Sequence, residues 1–276
     1  MSSELYGISV LMSVYKNENP VFLEEAIESI IHQTRKPDEI VIIEDGPLTV
    51  ELNEILEKLQ NEYKNLIFTY KIKNNIGLGL ALKFGVEKCR YPLIARMDTD
   101  DIACKNRLEL QEEAFLKDDK LDIIGGHISE FVNDYNNPVS IRYVPLQHDE
   151  IVNFQKRRSA FNHMTVMFKK TAVLKAGNYE HGLYMEDDLL WNNMLSIDSK
   201  AQNLDCVLCY VRVGNGMYER RGGLNYFNHY KAARKTMLNR SQISKFDYYY
   251  SLVIQFLVAL VPTAVRKFIF RKLLRG

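Results

Sequence analysis

The chain has 276 residues, enough to bury a sizeable core as one large domain or a domain with an appendage. Its 46% hydrophobic and 26% charged residues are the composition of an ordinary globular protein. The 36 basic and 35 acidic residues leave a formal net charge of +1, which excludes the bulk basic excess of a nucleic-acid binder and makes any electrostatic specialisation local.

The N-terminal "MSSELYGISVLMSVY" lacks a basic n-region and a long apolar stretch, so no secretory signal is expected. Within it, "GISVLMSVY" (7–15) reads as a buried strand. "NPVFLEEAIESIIHQ" (19–33) has apolar residues at 23, 26, 27, 30 and 31, the spacing of an amphipathic helix with Pro20 near its start. "DEIVIIED" (38–45) is a second strand, "VELNEILEKLQNEY" (50–63) a second helix and "LIFTYKI" (66–72) a third strand. "GLALKFGVEKC" (79–89) is a third helix weakened by Gly85, and "YPLIARMD" (91–98) a fourth strand. This alternation predicts a mostly parallel sheet covered on both faces, with its site at the carboxyl ends of the strands. Charge gathers there: Lys16 and Asn17 after the first strand, Glu44 and Asp45 after the second, Asp98 to Asp101 after the fourth.

Beyond residue 101 the alternation loosens. "NRLELQEEAFLKD" (106–118) reads as a helix, "LDIIGGHISEFV" (121–132) as a strand with a Gly-Gly kink, "HMTVMF" (163–168) as a strand and "EDDLLWNNML" (186–195) as a helix. "RVGNGMYERRGG" (212–223) reads as a glycine-rich loop. Cys206 and Cys209 form a CxxC inside the apolar "LDCVLCYVRV", but no second pair with zinc spacing accompanies it. All four cysteines are therefore expected to be reduced and structural, in a cytoplasmic setting.

Crowding Asp98, Asp100 and Asp101 raises their pKa above the usual ~3.9 unless a cation neutralises them. Carboxylate oxygens suit Mg²⁺ or Mn²⁺, typically shared with substrate phosphates. A solvated acidic turn ahead of a helix is the plain alternative. Glu186, Asp187 and Asp188 open a predicted helix, where one could serve as general base and the others merely favour the helix start. "MDTDDI" loosely matches the D-x-D of haloacid-dehalogenase phosphatases, but those carry it on their first strand. The "GLGLALKFG" stretch has Leu82 where a dinucleotide fingerprint needs glycine, and a P-loop is absent.

"ISVLMSVYKNE", "PDEIVIIEDGP", "NNIGLGLALKFG", "LIARMDTDDI" and "YMEDDLLW", in this order, resemble family 2 glycosyltransferases, particularly bacterial enzymes of exopolysaccharide, capsule and O-antigen assembly. The resemblance covers roughly residues 7–220. It implies the GT-A fold, a Rossmann-like mixed but mostly parallel sheet flanked by helices. Residues 1–223 would be the catalytic domain, with a nucleotide-sugar lobe (1–101) and an acceptor lobe (102–223). By the same resemblance Val14 and Tyr15 would line the nucleobase pocket, with Asp45 hydrogen-bonding the base. Asp98 would contact ribose or metal, and Asp100 would ligate the Mn²⁺ or Mg²⁺ bridging the donor diphosphate. Asp187 would deprotonate the acceptor hydroxyl, with Glu186 positioning the acceptor, in an inverting displacement. The donor would be a nucleoside-diphosphate sugar, taken as a UDP-sugar. The chain reads "EDGP" where many relatives read "DDGS", and Lys83 stands where Asn is usual. The QxxRW motif of processive synthases is missing, which argues for transfer of a single sugar. A non-catalytic nucleotide-sugar-binding module is the rival from another class.

His163 would contact donor or acceptor, or else be a core or turn histidine. Arg220 and Arg221 could close over the diphosphate. Residues 224–276 are expected to form C-terminal helices with a membrane-associating tail. Residues 248–265 carry no charge, and "RKFIFRKLLRG" follows with five basic residues. Ser251, Gln255, Pro262 and Thr263 make this a poor bilayer span, so a helix in the membrane interface fits better, with packing on the domain as the alternative. A lipid-linked oligosaccharide acceptor would account for such an anchor, and the basic tail would favour the anionic inner face of the plasma membrane.

Overall fold

The computed structural model describes residues 6–181, 184–214 and 223–261. The first half runs β1 (Ile8–Val14), α1 (Pro20–Ile31), β2 (Glu39–Asp45), α2 (Val50–Glu62), β3 (Ile67–Ile72), α3 (Leu78–Lys88) and β4 (Leu93–Arg96). The second runs β5 (Ile102–Ala103), α4 (Arg107–Lys117), β6 (Leu121–Phe131), β7 (Ser140–Arg142), α5 (His148–Gln155), β8 (Met167–Lys169), α6 (Lys170–Lys175), α7 (Glu186–Ser196) and β9 (Lys200–Arg212). Two helices follow, α8 (Gly223–Asn239) and α9 (Lys245–Leu260).

One sheet runs through both halves in the order β3-β2-β1-β4-β8-β6-β9-β5, with β7 on β6. The first four strands pair in parallel, as expected of continuous apolar runs buried on both faces. The second half is mixed. β8 pairs antiparallel with both β4 and β6, β5 and β7 are antiparallel to their neighbours, and β6 and β9 pair in parallel. The Gly-Gly kink is a register shift between Gly126 and His127 in the β6–β9 ladder.

Local chemistry sets the elements. Asn19 accepts from Val21 N at 2.9 Å ahead of Pro20, capping α1, and Thr49 caps α2. Gly85 is a packing requirement: a Cβ there would run into Leu11 Cδ1 and Ile43 Cγ1, so its absence lets α3 lie close on β1 and β2. "HMTVMF" departs from the expected strand. Thr165 N and Oγ1 both donate to Asn162 O, at 2.9 and 2.8 Å, closing a 3₁₀ turn over His163–Thr165 before β8 begins.

Residues 248–260 of the uncharged C-terminal run lie in α9, whose buried side carries Asp247, Tyr248, Ser251 and Ala259. Tyr248 joins Met185, Leu189, Ala233, Met237 and Ile243 in a small core that fastens α8 and α9 to α7. No helix among the described residues is long and apolar enough to cross a membrane. The basic tail and the two loop arginines, Arg220 and Arg221, lie outside the described residues.

Candidate active site

β4 ends on Arg96, and the chain then turns sharply through Asp98, Asp100 and Asp101. One carboxylate oxygen of each aspartate lies within 4.8 Å of the others. The turn is tied on several sides. Thr99 Oγ1 donates to Glu18 Oε2 at 2.6 Å, Arg212 N donates to Asp101 Oδ1 at 2.9 Å, and Arg212 Nε donates to Asp100 O at 3.2 Å. Arg96, 2% exposed, ion-pairs with Asp98, yet its Nε and Nη1 are buried with no hydrogen-bond partner among the described residues. Burial first, then the charges of Asp98 and Glu18, push the Asp100 carboxyl up. Burial, then Asp100 and Asp98, push Asp101 well up. Three hard oxygen donors this close together, with Asp100 and Asp101 pushed up, fit a divalent cation such as Mg²⁺ or Mn²⁺.

The second cluster opens α7. Asp187, partly exposed, is pushed up to about 7 by burial and then by the charges of Glu186 and Asp188. Burial also raises Glu186, which feels the charge of Asp98 from the other cluster. Asp188 is engaged elsewhere: Arg234 Nη2 lies 3.0 Å from its Oδ2, and Gln155 Nε2 donates to its Oδ1 at 2.5 Å. Of the three carboxylates, Asp187 alone is both partly exposed and tuned near neutrality, as a general base requires. The Arg96 charge acts on Asp100, Asp101, Glu186 and Asp187 alike, so both clusters share one end of the sheet. Gly79 permits that approach. A Cβ there would stand 2.5 Å from Glu180 O and 2.8 Å from Glu186 Cβ.

The other expected positions divide. The Val14 side chain is wholly buried in the core, leaving only its backbone for a ligand, whereas Tyr15 is exposed at the end of β1. Asp45 is buried and accepts from Asn75 Nδ2 (2.9 Å), Ile76 N (2.8 Å) and Gly77 N (3.0 Å), which uses three of its roughly four lone-pair positions. It organises the turn into α3. His163 Nε2 lies 2.8 Å from Tyr179 Oη, with its ring edge-on to Trp191. Burial, then the Arg96 charge, holds its pKa well below the ordinary value, so the imidazole is neutral. All four cysteines are free.

Reasoning from the sequence assigned no role to Arg96, Glu18, Tyr179 or Arg234. For Arg96 a signal existed, an arginine closing an apolar strand. For Arg234, within the polar-looking "KAARKT", there was none.

The family model described as Glycosyl transferase family 2 matches residues 9–182. The chain belongs to family 2 of the glycosyltransferases. This glycosyltransferase is 34% identical over 275 residues to an Escherichia coli UDP-Gal:alpha-D-GlcNAc-diphosphoundecaprenol beta-1,3-galactosyltransferase, covering 100% of this chain and 99% of that one. It is also 34% identical over 268 residues to the amylovoran biosynthesis glycosyltransferase AmsE of Erwinia amylovora, covering 97% of this chain and 99% of the other. In fold it resembles a Pyrobaculum calidifontis mannosyltransferase solved with GDP-Man and Mn²⁺, with a TM-score of 0.65 at 14% identity over 95% of this chain and 74% of that one. The GT-A architecture expected from the sequence is thereby established.

Proposed function

We propose that this glycosyltransferase moves one sugar, with inversion, from a UDP-sugar to a lipid-linked glycan during assembly of a bacterial surface polysaccharide. The observation that carries the chemistry is the pairing of clusters at one end of the sheet: a crowded aspartate triad, and the partly exposed Asp187 raised to about 7. Both relatives named above act in glycan biosynthesis, and the E. coli enzyme's name specifies a UDP-sugar and a diphosphoundecaprenol-linked acceptor, which supports that choice of donor and acceptor.

Asp98 and Asp100 would hold a divalent cation, whose Lewis acidity would neutralise charge on the departing nucleoside diphosphate. Tyr15, with the backbone of Val14, would flank the nucleobase, and Asp45 would present its remaining lone pair to it while holding residues 75–77 in place. Arg220 and Arg221 would close over the diphosphate. Glu186 would orient the acceptor. Asp187 takes the proton from the acceptor hydroxyl as that oxygen bonds to the anomeric carbon and the carbon–phosphate-oxygen bond breaks. Residues 1–101 would bind the donor and 102–223 the acceptor, and residues 224–276 would hold the enzyme on the inner face of the plasma membrane.

The test is thermal shift against UDP, GDP and CMP, each with and without Mn²⁺. A ligand at ~100 times its dissociation constant adds about 2.7 kcal/mol. UDP should stabilise only with metal, and Asp100→Asn should abolish the effect. Stabilisation by none of the three would overturn the donor assignment. Transfer retained by Asp187→Asn would remove that residue as the base.

A further inference from the structure

Helix α9 leaves one face largely uncovered by the described residues. Phe246, Tyr249, Val253, Ile254, Leu257 and Leu260 fall at helical spacing along one side and are 48–66% exposed. The opposite side is pinned. Ser244 Oγ accepts from Asp247 N at 3.0 Å, Arg157 Nε reaches Asp247 Oδ1 at 2.7 Å, and Tyr248 packs into the small core with α7 and α8. The apolar face is therefore held outward by specific contacts. A continuous exposed stripe of this kind marks an interaction surface.

We infer that this face lies in the surface of an anionic lipid bilayer, seating the α8–α9 pair on the membrane beside the candidate site. The inference rests on the proposed lipid-linked acceptor and names the face that meets the lipid. Charge argues for lipid over a second copy of the chain. Arg157 flanks the N-terminal end of the stripe, its guanidinium 5.2 Å from the Phe246 ring centre and 4.9 Å from that of Tyr250. Beyond the other end, residues 262–276 contribute five basic residues and no acidic one. An apolar band with aromatic rings and a cation at its N-terminal end, followed in sequence by a basic segment, matches an acyl-chain boundary beneath anionic headgroups. Length decides the orientation. From Phe246 to Leu260 a helix rises about 21 Å, short of the ~30 Å hydrocarbon core, so α9 lies along the surface. The buried Arg234–Asp188 pair joins α8 to α7, so the seated pair of helices is fastened to the helix that carries Asp187.

Flotation of the full-length protein with vesicles tests this, using phosphatidylcholine alone and phosphatidylcholine with about one third phosphatidylglycerol. The wild type should float with the anionic vesicles and much less with the neutral ones. Val253→Asn with Leu257→Asn, both exposed and remote from the core, should lower binding on the order of tenfold per residue. The double variant should still show the wild-type thermal shift with UDP and Mn²⁺. Three results would overturn the inference: no flotation of the wild type, equal flotation of the double variant, or a wild-type dimer in sedimentation that the two substitutions dissociate without vesicle binding. Flotation uses no sugar chemistry, so it stands or falls separately from transfer. Absence of the UDP–Mn²⁺ thermal shift in both proteins, with flotation intact, would instead count against the proposed donor.

Discussion

Replacing Arg234 with methionine removes one half of the ion pair that joins α8 to the helix bearing the candidate base. The two side chains are 1% and 6% exposed, so water cannot take over for the lost guanidinium. Asp188 would keep only the 2.5 Å bond from Gln155, and the bonds from Arg234 Nη1 to Gln155 O (3.3 Å) and Lys156 O (3.0 Å) would vanish as well. Breaking a buried pair from one side costs about 3–5 kcal/mol, chiefly because a charge is left buried without a partner. Removing both charges together should cost far less, since apolar side chains of similar volume often replace such pairs with little loss. Urea unfolding of Arg234→Met, Asp188→Leu and the double variant forms the test. Arg234→Met should lose about 3–5 kcal/mol, and the double variant should recover at least half of it, a coupling on the order of 2 kcal/mol. A loss below about 1 kcal/mol, or a double variant as unstable as the single, would show that solvent reaches Asp188 and that the pair is not a clamp.

Because Asp187 is raised to about 7 and acts deprotonated, transfer should climb with pH up to about 7 and level off above it; a rate independent of pH from 5 to 8 would contradict that role. Asp187→Asn should lose at least a hundredfold in transfer while Mn²⁺-UDP still raises the melting temperature, measured side by side. Asp100 and Asp101 titrate higher when folded than in the unfolded chain, near ~3.9, so their contribution to stability is full below that value and is lost as pH rises towards their raised values. Melting scans of metal-free protein should show that loss between about pH 4 and 7, Mn²⁺ should reverse it, and Asp100→Asn should flatten it. Gly79→Ala would press a methyl group against Glu180 O and Glu186 Cβ, so it should cost about 1–3 kcal/mol and depress transfer; a variant as stable and active as wild type would mean that α3 and α7 adjust freely.

The local elements were legible because their signals are local. Two-sided apolar runs announced β1 and β2, and apolar spacing with Asn19 and Pro20 announced α1. The motif "RMDTDD" at a strand end announced an acidic cluster, and its crowding in the structure follows from covalent adjacency. Other features depend on which distant segments meet. The antiparallel second half of the sheet arises where β8 inserts between β4 and β6, a choice of partner that strand patterning does not carry. Asp187 and Asp188 are neighbours with the same chemistry, yet Asp188 meets Arg234 from 46 positions away and is held by it, whereas Asp187 stays partly exposed. Asp45 fastens a turn thirty residues on, and Val14 turns into the core where a ligand-facing residue was expected. Residue type and spacing determined the fold class and the inventory of carboxylates. Tertiary contact decided which of them are spent on structure, because burial and the neighbouring charge, both set by packing, determine whether a carboxylate is paired, protonated or available.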